Sequence, residues 1–145
     1  DAHHFTRPNP ETITRAIRQA IDDAEISPRG IGAINAHGTS TPTGDSIEVD
    51  CLRSIFGRAL PGIPVSANKS QIGHSLGASA AIEAALAIEA MRQGIVLPTV
   101  NHIPDPAFAD LDVVPNEVRN HAHEFVLSNS FGFGGTNCCI VFRGT

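Results

Sequence analysis

The chain has 145 residues, of which 41% are hydrophobic and 17% charged, and its formal net charge is −5. This length suits one compact domain with a buried core, and the composition excludes a disordered chain. The acidic balance, without a cluster of Lys or Arg, gives no reason to expect a nucleic-acid partner. The longest mostly apolar stretch, 78–91, is interrupted by Glu83 and Glu89, so we expect no membrane span.

Two features indicate the setting in which the chain works. Its three cysteines are an odd number, which argues against a secreted scaffold held by disulfides. The chain opens at Asp1 with neither an initiator methionine nor a signal peptide. We therefore expect a piece of a longer, cytoplasmic protein.

The first half of the sequence predicts two helices, each followed by a short strand. A helix should begin at Pro10 with Asn9 as its cap, because apolar side chains then recur with a 3.6-residue period. These side chains are Ile13, Ala16, Ile17, Ala20, Ile21 and Ala24. Residues 31–36 and 63–67 are short apolar runs that predict buried strands. Between them, a second helix should run over about 45–56.

The second half predicts one long helix and a terminal pair of strands. The alanine-rich run 74–92 should form the helix. Residues 95–120 should be looser because they contain four prolines, with room for two short extended pieces. Strands at 124–129 and 138–143 should be joined by the glycine-rich turn 132–135. Helices that alternate with strands and end in a hairpin predict an α/β layered fold with a mixed sheet.

A polar stretch, 35–45, follows the first predicted strand. His37 comes at the end of that strand and would therefore sit at a sheet edge that faces a cleft. If the chain is extended there, Thr39 and Thr41 point the same way and could hydrogen-bond an extended ligand. The alternative is a structural histidine beside an elaborate helix cap.

The second polar stretch, 69–77, holds Lys69 and His74 around the predicted start of the long helix. A histidine at a helix N-terminus stays neutral, because the helix dipole disfavours imidazolium, and it can donate a hydrogen bond to an oxyanion. Glu83 lies on the apolar face of the same helix, together with Leu76, Ser79, Ala80, Leu86, Ala87 and Ala90. A buried carboxylate needs a cationic partner, for which Lys69 is the nearest candidate. The alternative is a helix rotated so that Glu83 is solvated.

The same stretch contains the pattern Gly-x-Ser-x-Gly, which is typical of the nucleophile elbow of esterases. The residues that could complete a triad with the nucleophile Ser75 are Asp105, Asp110, Asp112, His121 and His123. An elbow needs an apolar strand that runs directly into the serine, whereas the polar residues 68–71 intervene here. A hydrolase is therefore a minor alternative.

A third, glycine-rich stretch, 129–137, links the last two predicted strands. Asn137 stands where a third glycine would complete a dinucleotide-binding fingerprint, and the stretch opens no helix, so a dinucleotide is not expected. The glycines suit a loop whose backbone amides approach a ligand, with Phe131 or Phe133 as a movable apolar plug. The alternative is an ordinary hairpin turn.

The remaining histidines lack the spacing of a metal site. These histidines are His3, His4, His102, His121 and His123. They form neither a helical i, i+4 pair nor part of a Cys-x-x-Cys set. We expect no metal.

Taken together, the three stretches resemble the C-terminal half of a β-ketoacyl-acyl carrier protein synthase, either an elongating enzyme of fatty-acid synthesis or a ketosynthase of polyketide synthesis. The likeness lies in Asn-Ala-His-Gly-Thr-Ser-Thr-Pro-Thr-Gly-Asp at 35–45, Lys-Ser-Gln-Ile-Gly-His-Ser-Leu-Gly-Ala at 69–78 and Asn-Ser-Phe-Gly-Phe-Gly-Gly-Thr-Asn at 129–137. It extends over the stretches between, so we expect residues 1–145 to form one such half. The resemblance implies a thiolase-like fold, in which two similar α/β halves pack as an αβαβα sandwich.

The resemblance also implies roles for the site residues. His37 and His74 would stabilise the enolate that forms when a malonyl thioester loses CO₂, with His37 acting on the malonyl carboxylate. Phe133 would gate the site and contribute its backbone amide to the oxyanion hole. Phe131 and Gly134 would line the substrate site.

A supporting network and a site for the substrate arm are implied as well. Lys69 would pair with Glu83, in agreement with the helix geometry. The acidic residues that would support this network are Asp45 and Glu48. Thr39 and Thr41 would hydrogen-bond the phosphopantetheine that carries the substrate on acyl carrier protein, so no separate cofactor is expected.

One part of that family's machinery is missing from the chain. The family attacks the acyl thioester with a cysteine at a helix N-terminus of its N-terminal half. Cys51, Cys138 and Cys139 match no such motif, and we expect them to be packing residues. The expected partners are the N-terminal half, acyl carrier protein and, for the full enzyme, a second copy in a homodimer. The alternative is a non-catalytic partner subunit of the same fold that shapes chain length.

Overall fold

The computed structural model describes residues 5–144. Its α-helices are α1 (Pro10–Asp23), α2 (Pro42–Phe56), α3 (Lys69–Ile72) and α4 (Ser79–Arg92). Its strands are β1 (Ala33–Asn35), β2 (Pro64–Ser66), β3 (Ile95–Val96), β4 (Asp112–Val113), β5 (Arg119–Asn120), β6 (Phe125–Phe131) and β7 (Asn137–Arg143). Over these described residues, no helix is both long and apolar enough to cross a membrane.

The strands form a five-stranded sheet in the order β4-β2-β1-β6-β7 and a separate pair, β3 with β5. Strands β4, β2, β1 and β6 are parallel, and β7 runs antiparallel to β6. In the centre of the sheet, Asn35 of β1 stands opposite Ser66 of β2 on one side and Ser128 of β6 on the other. The predicted mixed sheet is confirmed.

Helices cover both faces of this sheet. On one face, α1 and α2 form the larger core with the sheet, and its most buried members include Ile13, Ile17, Ile21, Ile34, Leu52 and Leu127. On the other face, α4 contributes to a smaller core that contains Ala33, Ala87, Met91, Val96, Val114 and Val126. The described residues therefore form three layers, α/β/α, and the parallel strands present their carboxyl ends at one edge.

Helix α1 follows the sequence prediction closely. Asn9 accepts a hydrogen bond from the Glu11 N–H at 2.9 Å, and Pro10 occupies the first helical turn. The predicted apolar stripe is confirmed, because Ile13, Ile17 and Ile21 are at most 2% exposed. Burying each isoleucine contributes about 1.5–3 kcal/mol, which explains how an otherwise polar helix docks on the sheet.

The long helix is shorter than predicted. It begins at Ser79 and not at His74, because Gly73 and Leu76 adopt positive φ angles of 75° and 50°, which interrupt helical geometry. Residues 73–75 form a loop after α3, and Leu76–Ala78 form a 3-10 turn that leads into α4. Consequently Leu76, predicted to lie on the buried face, is 67% exposed. Ala80 is also exposed, so both predictions are wrong.

Other boundaries shift by a few residues. Helix α2 begins at Pro42 and not near Asp45, because proline suits the first helical position and Thr41 before it has extended backbone. Strands β1 and β2 are shorter than predicted, whereas β6 continues to Phe131. The loose segment 95–120 contains three two-residue strands and not two extended pieces.

The cysteines occupy the predicted elements but do not all pack. Cys51 is buried in α2, and Cys139 is half-buried in β7. Cys138 is exposed on β7, so its predicted packing role is wrong within the described residues.

The docking of α1 generates the first prediction. Replacement of Ile17, which is 0% exposed, by alanine should lower the free energy of unfolding by about 2–5 kcal/mol, because it leaves a cavity against the sheet. Urea denaturation measures this change. The control, Gln19→Ala on the exposed face of α1, should change it by less than about 0.5 kcal/mol. Equal effects of the two substitutions would contradict the docking of α1 through its isoleucine stripe.

Candidate active site

The polar stretches meet at one end of the sheet. His37 follows β1, Lys69 follows β2, and Asn129 and Phe131 lie at the end of β6. Because these three strands are parallel, their carboxyl ends lie at the same edge, which is where open α/β sheets bind ligands. Glu83 joins this cluster from α4, on one face of the sheet.

His37 lies at the centre of the cluster. Its ring centroid is 6.0 Å from that of His74 and 5.3 Å from that of Phe131. Its Nδ1 accepts the backbone N–H of Phe131 at 3.3 Å and lies 3.4 Å from Lys69 Nζ. Because both neighbours are donors, Nδ1 is the accepting nitrogen and Nε2 carries the proton.

The surroundings keep His37 uncharged. Burial lowers the pKa of His37 from 6.5 to about 4, and the Lys69 charge and the nearby His74 add to this shift. Near neutral pH the ring is therefore a neutral imidazole whose Nε2–H can donate a hydrogen bond.

The predicted contact between Lys69 and Glu83 is confirmed. Lys69 Nζ lies 2.7 Å from Glu83 Oε1, and the two side chains are only 5% and 0% exposed. Lys69 Nζ also donates to the backbone carbonyl of His37 at 2.6 Å. The second carboxylate oxygen of Glu83 accepts from Asn35 Nδ2 at 3.4 Å. A buried ion pair of this kind is tolerated only when its remaining polar atoms are also bonded.

Glu48 holds the backbone around His37. Its carboxylate accepts the N–H groups of His37 and Gly38 at 2.9 and 3.0 Å and the Nδ2–H of Asn129 at 3.0 Å. Burial raises the pKa of Glu48, and these hydrogen bonds oppose the rise. Gly38 has a φ of 43°, and a Cβ there would come within 2.7 Å of the Ala67 Cβ, so only glycine fits.

Thr39 and Thr41 lie on the same side of the chain, as predicted, but for a different reason. Their hydroxyl oxygens are 3.0 Å apart although Ser40 between them has a φ of 60° and is not extended. Asp45 lies in the first turn of α2, and its backbone N–H donates to the Thr41 carbonyl at 3.0 Å. Burial raises the pKa of Asp45 above its usual range. A Cβ on residue 44 would lie 2.5 Å from Thr41 Oγ1, so the glycine there leaves room for this hydroxyl.

His74 stands in the loop between α3 and α4, so the prediction that a helix dipole acts on it is wrong. Two hydrogen-bonding groups contact its Nδ1 atom instead. His74 Nδ1 accepts the backbone N–H of Leu76 at 3.2 Å and lies 3.1 Å from Ser79 Oγ. As in His37, the proton of the neutral ring is then on Nε2.

The glycine-rich stretch forms a tight loop after β6. Gly132 N–H donates to the Thr136 carbonyl at 2.6 Å, which closes the loop. Phe133 is 59% exposed, and its ring stacks on that of Phe5 with centroids 5.0 Å apart. Gly134, with a φ of 75°, donates its N–H to the Phe5 carbonyl at 3.0 Å. Phe131, by contrast, faces His37.

The sequence patterns assign no role to three buried polar residues of this site. Asn35 Nδ2 donates to Ser128 Oγ at 3.0 Å as well as to Glu83, and Asn129 bonds to Glu48. Ser79 contacts His74. Each could have been recognised as a polar residue in an otherwise apolar strand or helix face, because such a residue needs a partner inside the protein.

The esterase alternative lacks the required geometry. Strand β2 ends at Ser66, and α3 lies between it and Ser75, so no strand runs into the serine. The triad candidates are bonded elsewhere: Asp105 to Ala107, Asp110 to Arg53, Asp112 to Arg119, His121 to Gly32 and His123 to His121.

The described residues contain no metal-binding cluster, and two of their thiols have a raised pKa. Residues 5–144 contain no group of three or more His, Cys, Asp or Glu that could hold a metal ion. His3 and His4 lie outside the described residues. Burial raises the pKa of Cys51, and it raises the pKa of Cys139 to about 12, so neither thiol is suited to act as a nucleophile.

The position of Lys69 generates a pH prediction. Because the pKa of His37 is about 4 when folded and ordinarily 6.5, the unfolded chain takes up this proton first as the pH falls. The contribution of the neutral ring to the free energy of unfolding is therefore complete above pH 6.5 and is lost as the pH falls towards 4.

Lys69→Met should raise the pKa of His37, as followed by NMR titration of its ring. Arg143→Met, which removes an exposed ion pair with Glu124, should not. An unchanged pKa in Lys69→Met would contradict the electrostatic role of Lys69.

The buried pair generates a stability prediction. Glu83→Gln should lower the free energy of unfolding by about 3–5 kcal/mol, because it leaves the Lys69 charge buried without a counter-charge. Adding Lys69→Met should restore much of that loss, since no unpaired charge then remains. Denaturant unfolding of the two single variants and the double variant measures the coupling energy. Strictly additive losses would contradict an ion pair at this place.

Comparison with known proteins identifies one family. Residues 1–102 match the family described as Beta-ketoacyl synthase, C-terminal domain. The chain is 44% identical to 3-oxoacyl-[acyl-carrier-protein] synthase 2 of Staphylococcus aureus (strain COL) over 146 aligned positions, which cover 99% of this chain and 35% of that protein. The chain thus spans about a third of the length of this curated relative.

Solved structures agree with the sequence comparison. A β-ketoacyl synthase from Burkholderia phymatum STM815 superposes with a TM-score of 0.92 at 41% identity, covering 100% of this chain and 35% of that one. AntDE:AntF is a type II polyketide synthase acyl-carrier protein in complex with its ketosynthase. It superposes with a TM-score of 0.92 at 35% identity, and the match covers 100% of this chain and 36% of that one. The chain therefore belongs to the β-ketoacyl synthase family and has the C-terminal half of its thiolase-like fold.

Proposed function

We propose that this chain is the C-terminal half of a 3-oxoacyl-acyl carrier protein synthase, which condenses a malonyl thioester with an acyl thioester by decarboxylative Claisen chemistry. The observation that carries the proposal is the pair of imidazoles, His37 and His74, with ring centroids 6.0 Å apart. The Nδ1 atom of each accepts a backbone N–H, so each presents Nε2–H as its free donor. Two such donors can bind one oxygen on which negative charge develops.

In the proposed reaction, the malonyl thioester loses CO₂ and leaves an enolate, with His37 beside the departing carboxylate. The Nε2–H donors of His37 and His74 bind the enolate oxygen more strongly than the ground-state carbonyl, because the oxygen carries more charge in the transition state. Since the pKa of His37 is about 4, it donates this bond as a neutral ring near pH 7. The enolate carbon then attacks the acyl thioester on a cysteine of the N-terminal half, forms the C–C bond and releases the cysteine thiolate.

We assign the supporting residues by their contacts. Lys69 and Glu48 bond to His37 and its backbone, Glu83 pairs with Lys69, and the backbone N–H of Asp45 bonds to Thr41 in the turn before α2. The side chains of Lys69, Glu83 and Glu48 are already engaged by the backbone or by an opposite charge. Their proposed role is to position the imidazole.

The substrate-facing residues lie on the two loops beside His37. We assign the adjacent hydroxyls of Thr39 and Thr41 to the phosphopantetheine arm, because two hydroxyls 3.0 Å apart suit an extended amide chain. Phe133 is the proposed gate, with a backbone amide for the oxyanion hole, since its ring is exposed and can move. Phe131 and Gly134 line the same entrance.

The chain exposes apolar surface that suits an intramolecular partner. On α4, the face away from the sheet exposes Ile82 and Ile88 at 39% and 37%, and β7 exposes Ile140 at 42%. We propose that an N-terminal half covers this surface and supplies the nucleophilic cysteine. The proposal also fits the chain's extent of about a third of its relative's length.

The remaining partners follow from the substrate. A malonyl or acyl group on a phosphopantetheine arm requires an acyl carrier protein, and a related ketosynthase has been solved in complex with one. We propose the same partner here, with the complete enzyme acting as a cytoplasmic homodimer and no separate cofactor.

The proposed function predicts the effect of removing either donor. In the complete enzyme, His37→Ala and His74→Ala should each lower kcat for malonyl-carrier protein decarboxylation by about 10²–10³-fold, because each removes one hydrogen bond to the developing enolate. Release of CO₂ measures this step without the condensation that follows. His102→Ala, a change in the half-buried loop before β4, is the matched control and should leave kcat unchanged.

Two outcomes would contradict this function. Undiminished decarboxylation in both histidine variants would favour a non-catalytic subunit that shapes chain length. Carbon–carbon bond formation by the isolated 145-residue chain would show that no second half is needed.

A further inference from the structure

Ser79 is a buried hydroxyl beside His74 at the start of α4. Ser79 is only 4% exposed. The loop before it, which includes His74, is exposed. Ser79 Oγ lies 2.8 Å from the Ser75 backbone nitrogen and 3.1 Å from His74 Nδ1. A hydroxyl placed this way links a rigid helix to an exposed catalytic candidate.

The direction of each hydrogen bond follows from the donors. The Ser75 N–H can only donate, so Ser79 Oγ accepts it and keeps its own proton to give. The Leu76 N–H likewise donates to His74 Nδ1 at 3.2 Å, so Nδ1 is an acceptor. The Ser79 O–H therefore also donates to Nδ1. We propose that Ser79 is a positioning residue that holds His74 in its Nε2–H tautomer and fixes the plane of its ring.

The two histidines then differ in how they are held. His37 Nδ1 has a backbone N–H from Phe131 and a second donor, the cationic Lys69, which is buried with Glu83. His74 Nδ1 has a backbone N–H from Leu76, and its second donor is the neutral Ser79 hydroxyl.

The loop around His74 explains why a second donor matters. Gly73 and Leu76 both have positive φ angles, 75° and 50°, and Leu76 is 67% exposed. The N–H of Leu76 fixes the ring only relative to the loop, because the donor and the ring belong to the same loop. Ser79 is instead part of α4, whose Glu83 is anchored in the buried ion pair. The hydroxyl thus holds the imidazole in a fixed position relative to α4.

The proposal rests on the proposed function for its kinetic consequence but not for its structural one. In the complete enzyme, Ser79→Ala should give His74 a mixture of the two neutral tautomers, whereas wild type and Ser79→Thr show only Nε2–H. The ¹⁵N resonances of the labelled imidazoles distinguish a protonated from an unprotonated ring nitrogen at a pH where the ring is neutral. The spectrum of His37 should stay the same in all three proteins. Ser46→Ala is the control, since Ser46 is an exposed serine near the start of α2 whose hydroxyl bonds to the Pro42 carbonyl and not to a histidine.

The kinetic readout separates this inference from the proposed function. Ser79→Ala should lower kcat for decarboxylation by about tenfold with KM unchanged, because it disorders a donor to the transition state without touching the substrate arm. Ser79→Thr, which keeps the hydroxyl, should restore most of the rate. An unchanged His74 spectrum in Ser79→Ala, or a proton on Nδ1 in wild type, would overturn the role of Ser79. If the wild type does not decarboxylate a malonyl thioester, the proposed function fails, and the tautomer spectra still decide the inference.

Discussion

The buried ion pair between Lys69 and Glu83 is the constraint on which the rest of the site depends. Removing two charges from water costs several kcal/mol for each, and the 2.7 Å contact offsets this cost only if the other polar atoms are bonded as well. Glu83 therefore needs Asn35, and Lys69 needs the His37 carbonyl. Because these partners come from α4, β1, α3 and the loop after β1, the pair is stable only when all four elements are in place.

A second buried carboxylate of the site, Glu48, also has fixed partners. It bonds to the backbone amides of His37 and Gly38 and to Asn129. The carboxylates of Glu83 and Glu48 are thus directed at the protein and not at a ligand. The donors that remain free in the site belong to the imidazoles, which suits the proposed role of binding an oxygen on which negative charge develops.

Much of this arrangement could be predicted from residue patterns. The apolar stripe of α1 and the apolar face of α4 follow from helical periodicity, so Glu83 could be predicted to be buried and Lys69 to be its partner. The location of His37 follows from its place after an apolar strand. These predictions hold because periodicity and the cost of burying a charge are set locally.

Other features depend on contacts between distant parts of the chain. The interruption between α3 and α4 arises from the positive φ angle of Leu76, a residue type that rarely adopts one, so His74 could not be separated from the helix by propensity alone. Asn129 and Glu48 are far apart in sequence, and their bond forms only once β6 pairs with β1. The interruption before α4 and the bond between Asn129 and Glu48 therefore both depend on tertiary structure.

The one-sided burial of α4 has a consequence for how the chain reaches its folded state. Its sheet-facing side packs Ala87 and Met91, while Ile82 and Ile88 stay open to water. If a second half of the same polypeptide covers the open side, the free energy of that interface adds to the stability of this half. The two halves would then unfold together with the cooperativity of one larger domain.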